Sequence, residues 1–221
     1  MPPTGVGMTL VLVAHGTRVP AGQAQVRDLA RRVARRYDGA VRLAYVDVQE
    51  PHVRDVAAGP AVVVPLLLTT GHHVRVDIAE AFAGLGAAVA PPLGTAGRLL
   101  GVLADRLAAA GPADAVVLAA AGSSDPWSRA EVDATAAALP VPATVGYAAS
   151  AAPTVPDAVR ALRADGADRV LILTYLLADG RFHQALHRAG ADVVTPPLAD
   201  HPAVVDVVLD LAREPVGTSP A

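Results

Sequence analysis

Two histidines stand where apolar runs give way to glycine: His15 in AHGTR (14–18) and His73 in TTGHHVRVDI (69–78). Glycine permits a tight turn, so an imidazole beside it is presented at the edge of a sheet rather than packed inside. A neutral imidazole is both a metal ligand and a proton acceptor near neutral pH. Two of them on neighbouring strand ends would make an open metal-binding or proton-transfer pair. The bland reading of His15 is a ring bonded to loop backbone, and His72 suits a helix cap or a solvent-facing position. Asp47 and Glu50 close another apolar run, where a carboxylate could orient a metal or accept protons. Glu50 equally suits a helix start, stabilised by the dipole. Arg18, Arg75 and Arg129 lie beside these run ends, and guanidinium forks suit a ligand rich in carboxylates.

Other polar groups carry weaker signals. Ser123 and Ser124 in AGSSD read as ligand-bonding hydroxyls or as caps of the helix at Trp127. The run is not G-x-S-x-G, so a nucleophile elbow is not indicated. His183 and His187 share a helical face, a spacing that can hold zinc. Gln184 stands where a metalloprotease needs glutamate, so both are expected to be surface residues. His52 reads as a turn residue and His201 as a helix entry.

Composition removes whole classes of chemistry. The chain of 221 residues has no cysteine, which excludes thiolate metal sites, iron–sulfur clusters and disulfides. All 18 basic residues are arginine, so Schiff-base lysines and the phosphate-loop lysine are absent. A net charge of −3 and 3% aromatics give no reason to expect nucleic acid. Hydrophobic residues reach 52%, yet no apolar run approaches the roughly 18 residues of a membrane span. The opening residues lack a basic segment and read directly into a strand, so a cytoplasmic protein without a secretory signal is expected.

The elements that must position these residues alternate in type. MTLVLVA (8–14), VRLAYVDV (41–48), AVVVPLLL (61–68) and AAVAP (87–91) read as strands. Helices are expected at 22–37, briefly after Pro51, at about 74–85 and at 95–111. Such alternation implies parallel strands with helices on both faces. Pro65 is a misfit inside its run and suggests a bulge.

After GPAD (111–114) the series begins again. AVVLAAAG (115–122) answers LVLVAHG, ATVGYAAS (143–150) answers VRLAYVDV, DRVLILTYLLADG (168–180) answers AVVVPLLLTTG, and VVTPPL (193–198) answers AVAPPL. Four matches in order mark an internal duplication. The fold class is therefore α/β, with two similar α/β/α halves, each holding a four-stranded, mostly parallel sheet. The halves are residues 1–111 and 112–221, followed by a frayed tail at EPVGTSPA. Ligands of such sheets sit beyond the carboxyl ends of the strands, which places a cleft between the halves. Ala121 occupies the second-half position of His15, so the chemistry is expected in the N-terminal half, with the C-terminal half a degenerate repeat.

LVAHGTR (12–18), PLLLTTGHHVRVDIAEA (65–81) and AAGSSDP (120–126) together resemble the CbiX/SirB family of sirohydrochlorin chelatases, the class II tetrapyrrole metal chelatases. The resemblance covers nearly the whole chain and fits the long, duplicated form with a chelatase-like fold. It implies insertion of Co²⁺ or Fe²⁺ into sirohydrochlorin on the route to cobalamin or sirohaem, with no cofactor besides that metal substrate. It also implies that His15 and His73 are the active-site pair, binding metal and accepting protons. Asp47 falls where the family more often has a glutamate metal ligand, and Ala79 replaces a common proline. Arg18, Arg75, Ser123 and Ser124 would contact the tetrapyrrole. The competing class is a non-catalytic metal or tetrapyrrole carrier on the same fold.

Overall fold

Every residue from Leu10 to Ala14 is buried, but alternate side chains enter different cores. Leu10, Leu12 and Ala14 join a large cluster shared by both halves, while Val11 and Val13 join a smaller one with Ile78 and Phe82. A strand buried on both faces belongs to a parallel sheet with helices on either side. The computed structural model describes residues 7–214, so the expectations for the chain start and for the tail beyond Glu214 lie outside the described residues.

The first sheet contains β1 (Thr9–Ala14), β2 (Val41–Tyr45), β3 (Ala61–Pro65) and β4 (Ala88–Val89), all parallel, in the order β2-β1-β3-β4. Its helices are α1 (Pro20–Ala34), α2 (Val53–Val56), α3 (Ala79–Ala81) and α4 (Gly97–Ala110). The second sheet repeats the plan with β5 (Ala115–Ala120), β6 (Thr144–Tyr147), β7 (Val170–Tyr175) and β8 (Val193–Val194), ordered β6-β5-β7-β8. Its helices are α5 (Pro126–Ala137), α6 (Val155–Ala164), α7 (Arg181–Leu186) and α8 (Val204–Arg213). The expected duplicated α/β architecture is thus the observed one. Backbone detail repeats with it: Gly16 and Gly122 have φ of 97° and 96°, and Val48 and Ser150 have φ of 67° and 58°.

Between the sheets, side chains from α1, α4, α5 and α8 form the shared core. The last helix of each repeat reaches across: α8 packs on β3, and α4 packs on β7. The first repeat ends with α4 and the second opens with β5, yet in space the two sets of elements interlock. Tyr175 of β7 donates its hydroxyl to the Leu68 carbonyl at 3.2 Å, and burial pushes this phenol up to about 12. Arg106 donates to the Pro197 carbonyl at 2.8 Å, and Gly22 leaves no room for a β-carbon, which would lie 1.9 Å from the Asp179 carbonyl oxygen.

Two local expectations are corrected. Pro65 does not bulge its strand; it is the last residue of β3, paired with Val13, where its missing N–H costs no interior ladder bond. The expected helix over 74–85 is a π-helical turn, His73–Ile78, running into the short α3. The helix stops at Ala81, and Gly84 and Gly86, at φ of 73° and 68°, keep the turn that follows out of helical geometry. No helix among the described residues is long and apolar enough to cross a membrane.

Candidate active site

In a sheet ordered β2-β1-β3-β4, the chain leaves β1 toward one side and returns to the other, so the crevice opens at the carboxyl ends of β1 and β3. His15 follows β1 directly, and His73 begins the π turn after β3. Their ring centroids are 4.8 Å apart and perpendicular. His72, exposed, has its ring 6.1 Å from that of His73 and makes no capping bond to the turn. The pair is therefore His15 with His73, drawn from two strands rather than from the adjacent dipeptide.

Gly16 sets His15. At φ of 97° it turns the chain so closely under the second strand end that a β-carbon would lie 2.2 Å from the Asp47 carbonyl oxygen. The π turn sets His73. Its i→i+5 bonding widens the coil, bringing Asp77 under His73, with the carboxylate 2.6 Å from Nδ1. A carboxylate on Nδ1 holds the proton there and leaves the Nε2 lone pair for a cation or an incoming proton. Asp77 is the member of this arrangement that sequence reasoning left unassigned; its position four residues after His73 was the available signal.

Electrostatics keep His15 neutral. Its ring is open to solvent on one side but crowded by protein, and this loss of water, followed by repulsion from His73, lowers its pKa below the usual histidine value. The carbonyl of Gly16 and the charge of Asp47 pull the other way without reversing the direction. A rate that needs neutral His15 is expected to rise through a midpoint below about 6.5 and to be flat at neutral pH. An NMR titration of His15 checks this directly, and the His73→Ala variant is expected to move that titration upward. A His15 midpoint above that of an unfolded-chain histidine would exclude this reading.

The remaining expected residues divide. Among the described residues no three His, Asp or Glu side chains gather as a metal site, so the set His15, His73 and Asp47 is not assembled as expected. Asp47 is exposed, and its carboxylate accepts the Val48 N–H at 2.7 Å, steadying a β-branched residue held at φ of 67°. Arg75 pairs with Asp125 across the two halves, so its guanidinium is already engaged. Arg18, three residues after His15 in sequence, is exposed. Ser123 accepts the Asp125 N–H at 3.0 Å, and Ser124 is exposed. The cap of α5 is Asp125, which accepts the Trp127 N–H, rather than either serine. Glu131 accepts the Thr70 N–H at 2.6 Å, clamping the His73 loop to α5. His183 corrects its expectation as a surface residue: its side chain is only 11% exposed, whereas His187 is exposed.

Solved structures of the same shape place this architecture in a class. SirB from Bacillus subtilis with Fe³⁺ superposes with a TM-score of 0.75 at 21% identity, over 94% of this chain and 95% of that one. SirB from Bacillus subtilis subspecies spizizenii in complex with cobalt gives 0.71 at 22% identity, over 94% of each chain. CbiX, the terminal enzyme for biosynthesis of siroheme in denitrifying bacteria, gives 0.74 at 22% identity, over 95% of this chain and all of that one. The protein has the duplicated chelatase fold. The CbiX family profile matches residues 9–110 and again 115–215, so the chain belongs to the CbiX family. No curated protein matches the sequence significantly.

Proposed function

We propose that the protein is a sirohydrochlorin chelatase, inserting Co²⁺ or Fe²⁺ into sirohydrochlorin for cobalamin or sirohaem synthesis. The observation that carries this reading is the perpendicular His15–His73 pair at the crevice of the first sheet, with Asp77 behind His73. Family membership supports it, as do the iron and cobalt held by SirB. Insertion exchanges two pyrrole N–H protons for one divalent ion. The Nε2 atoms of His15 and His73 ligate the ion as it sheds water, then accept the two protons as the pyrrole nitrogens take it over.

Residues 1–111 carry this chemistry, and residues 112–221 supply the facing wall. Arg18, Ser123 and Ser124 contact the tetrapyrrole periphery, and Arg75 does so on releasing Asp125. Asp47 acts on His15 through its charge. The reaction takes no resident cofactor, runs in the cytoplasm and needs neither membrane nor nucleic acid.

The test is metal-free sirohydrochlorin with Co²⁺, Fe²⁺ or Ni²⁺, followed by visible absorbance. The expected result is catalysed conversion to the metallated spectrum with Co²⁺ or Fe²⁺. Binding of sirohydrochlorin or metal without any acceleration over the protein-free reaction would make the chain a carrier instead.

A further inference from the structure

The loop after β7 holds a second imidazole pair. The rings of His183, in α7, and His187, at its C-terminal cap, have centroids 5.0 Å apart at 79°, close to the geometry of His15 and His73. Nδ1 of His183 lies 3.1 Å from the Asp179 carboxylate four residues earlier, the arrangement Asp77 makes with His73 in the opposite chain order. The other ring nitrogen, Nε2, is buried and has no hydrogen-bond partner among the described residues. A buried polar atom left unpaired has given up its water without a replacement bond. Such atoms in native folds call for an explanation, and an ion is one of the few available. With the proton of Nδ1 directed at Asp179, Nε2 carries the lone pair, which suits a cation and not an anion.

The location adds to this. The repeat sets Gly180 against Gly71, so the pair occupies the second-half counterpart of the TTGHH segment. The Asp179 N–H donates to Gln25 of α1 at 2.6 Å, and a β-carbon on Gly180 would lie 3.3 Å from the Thr17 hydroxyl oxygen. Thr17 is two residues from His15. The second pair is therefore anchored against the loop that carries the first. It is not a copy of it: Ala121 replaces His15 at the end of β5, and both imidazoles come from one short helix.

We propose that His183 and His187 form a second divalent-cation site, separate from the His15–His73 pair. Nε2 of His183 is one ligand and the ring of the exposed His187 is the other; Asp179 orients His183, and water fills the remaining positions. Nitrogen ligands with the carboxylate held in the outer shell select Co²⁺, Ni²⁺ or Zn²⁺ over Mg²⁺ and Ca²⁺. The site holds an ion beside the crevice without taking part in proton transfer.

Equilibrium dialysis of the full chain against Co²⁺, with any affinity tag removed, tests this independently of chelatase activity. The His15→Ala/His73→Ala protein is expected to retain Co²⁺ binding that excess Mg²⁺ does not displace. Adding His187→Ala, a change at an exposed position, is expected to weaken that binding by tenfold or more, and Asp179→Asn by about 10–100-fold, as loss of an outer-shell partner does. His183→Gln is a second arm should the buried change His183→Ala prevent folding. The proposal is overturned if the His15→Ala/His73→Ala protein binds no Co²⁺. It is equally overturned if its binding is unchanged by both His187→Ala and His183→Gln.

Discussion

His15→Ala and His73→Ala are each expected to lower the rate of metal insertion by about 10²–10⁴-fold, the range lost with a positioned acid–base group, while the melting temperature stays near that of the parent. The structural half of the expectation follows from exposure. His15 is exposed and His73 is half-buried, so neither truncation opens a cavity in the two cores that sandwich the first sheet. The chemical half follows from pairing at 4.8 Å, which lets both rings reach one ion. Because the two act on one ion, the double variant is expected to lose little beyond the worse single one. Asp77→Asn separates orientation from ligation. It keeps the ring and removes the carboxylate at 2.6 Å, so a smaller loss of about 10–100-fold is expected. Single variants that retain most of the parental rate under conditions where the uncatalysed reaction is subtracted would remove the pair from the mechanism.

The lowered pKa of His15 also bears on stability. In the unfolded chain His15 titrates near 6.5, and in the fold it titrates lower. Between those two values the unfolded chain binds the extra proton, so this residue's contribution is intact above about 6.5 and is lost as pH falls toward the folded value. Acid therefore removes activity and a part of the stability through the same ring.

Strands and repeats were legible because they are written locally. LVLVA and its counterparts are continuous apolar runs, and a both-face-buried parallel strand needs nothing else. His15 and His73 were legible because glycine beside a strand end announces presentation. What lay out of reach depends on partners distant in sequence. Nothing in Glu131 says that it holds the Thr70 N–H, 61 residues away, and nothing in Arg75 says that it pairs with Asp125. The crossing of α4 onto β7 and α8 onto β3 is likewise a tertiary choice, since both helices are amphipathic whichever sheet they cover. Asp77 is the intermediate case. Its spacing was visible, but its meaning required the π turn. His183 went the other way: an i, i+4 pair on a short polar helix looks solvated until α1 of the other half is set against the preceding loop.

Gly16→Ala is expected to cost about 2–4 kcal/mol, combining the penalty of a side chain at positive φ with overpacking against backbone. For a chain of this size that is a fall of about 4–16 °C in melting temperature. The added β-carbon meets the Asp47 carbonyl oxygen at 2.2 Å and the Val48 β-carbon at 3.2 Å, so the two loops must part. One of those loops carries His15, and a displacement of about 1 Å in a positioned group can cost of order 10²-fold in rate. Gly122→Ala is the control built into the repeat. Its β-carbon would lie 1.8 Å from the Ala149 carbonyl oxygen at φ of 96°, so its cost in stability is at least as large. The residue before it, however, is Ala121, which has no ring to misplace. Calorimetry should therefore show both variants destabilised. Insertion rates per folded molecule should split them: Gly16→Ala loses kcat, whereas Gly122→Ala, next to Ser123, keeps kcat and at most raises KM. Equal losses of kcat would mean that the second half takes part in the chemistry and is more than its wall.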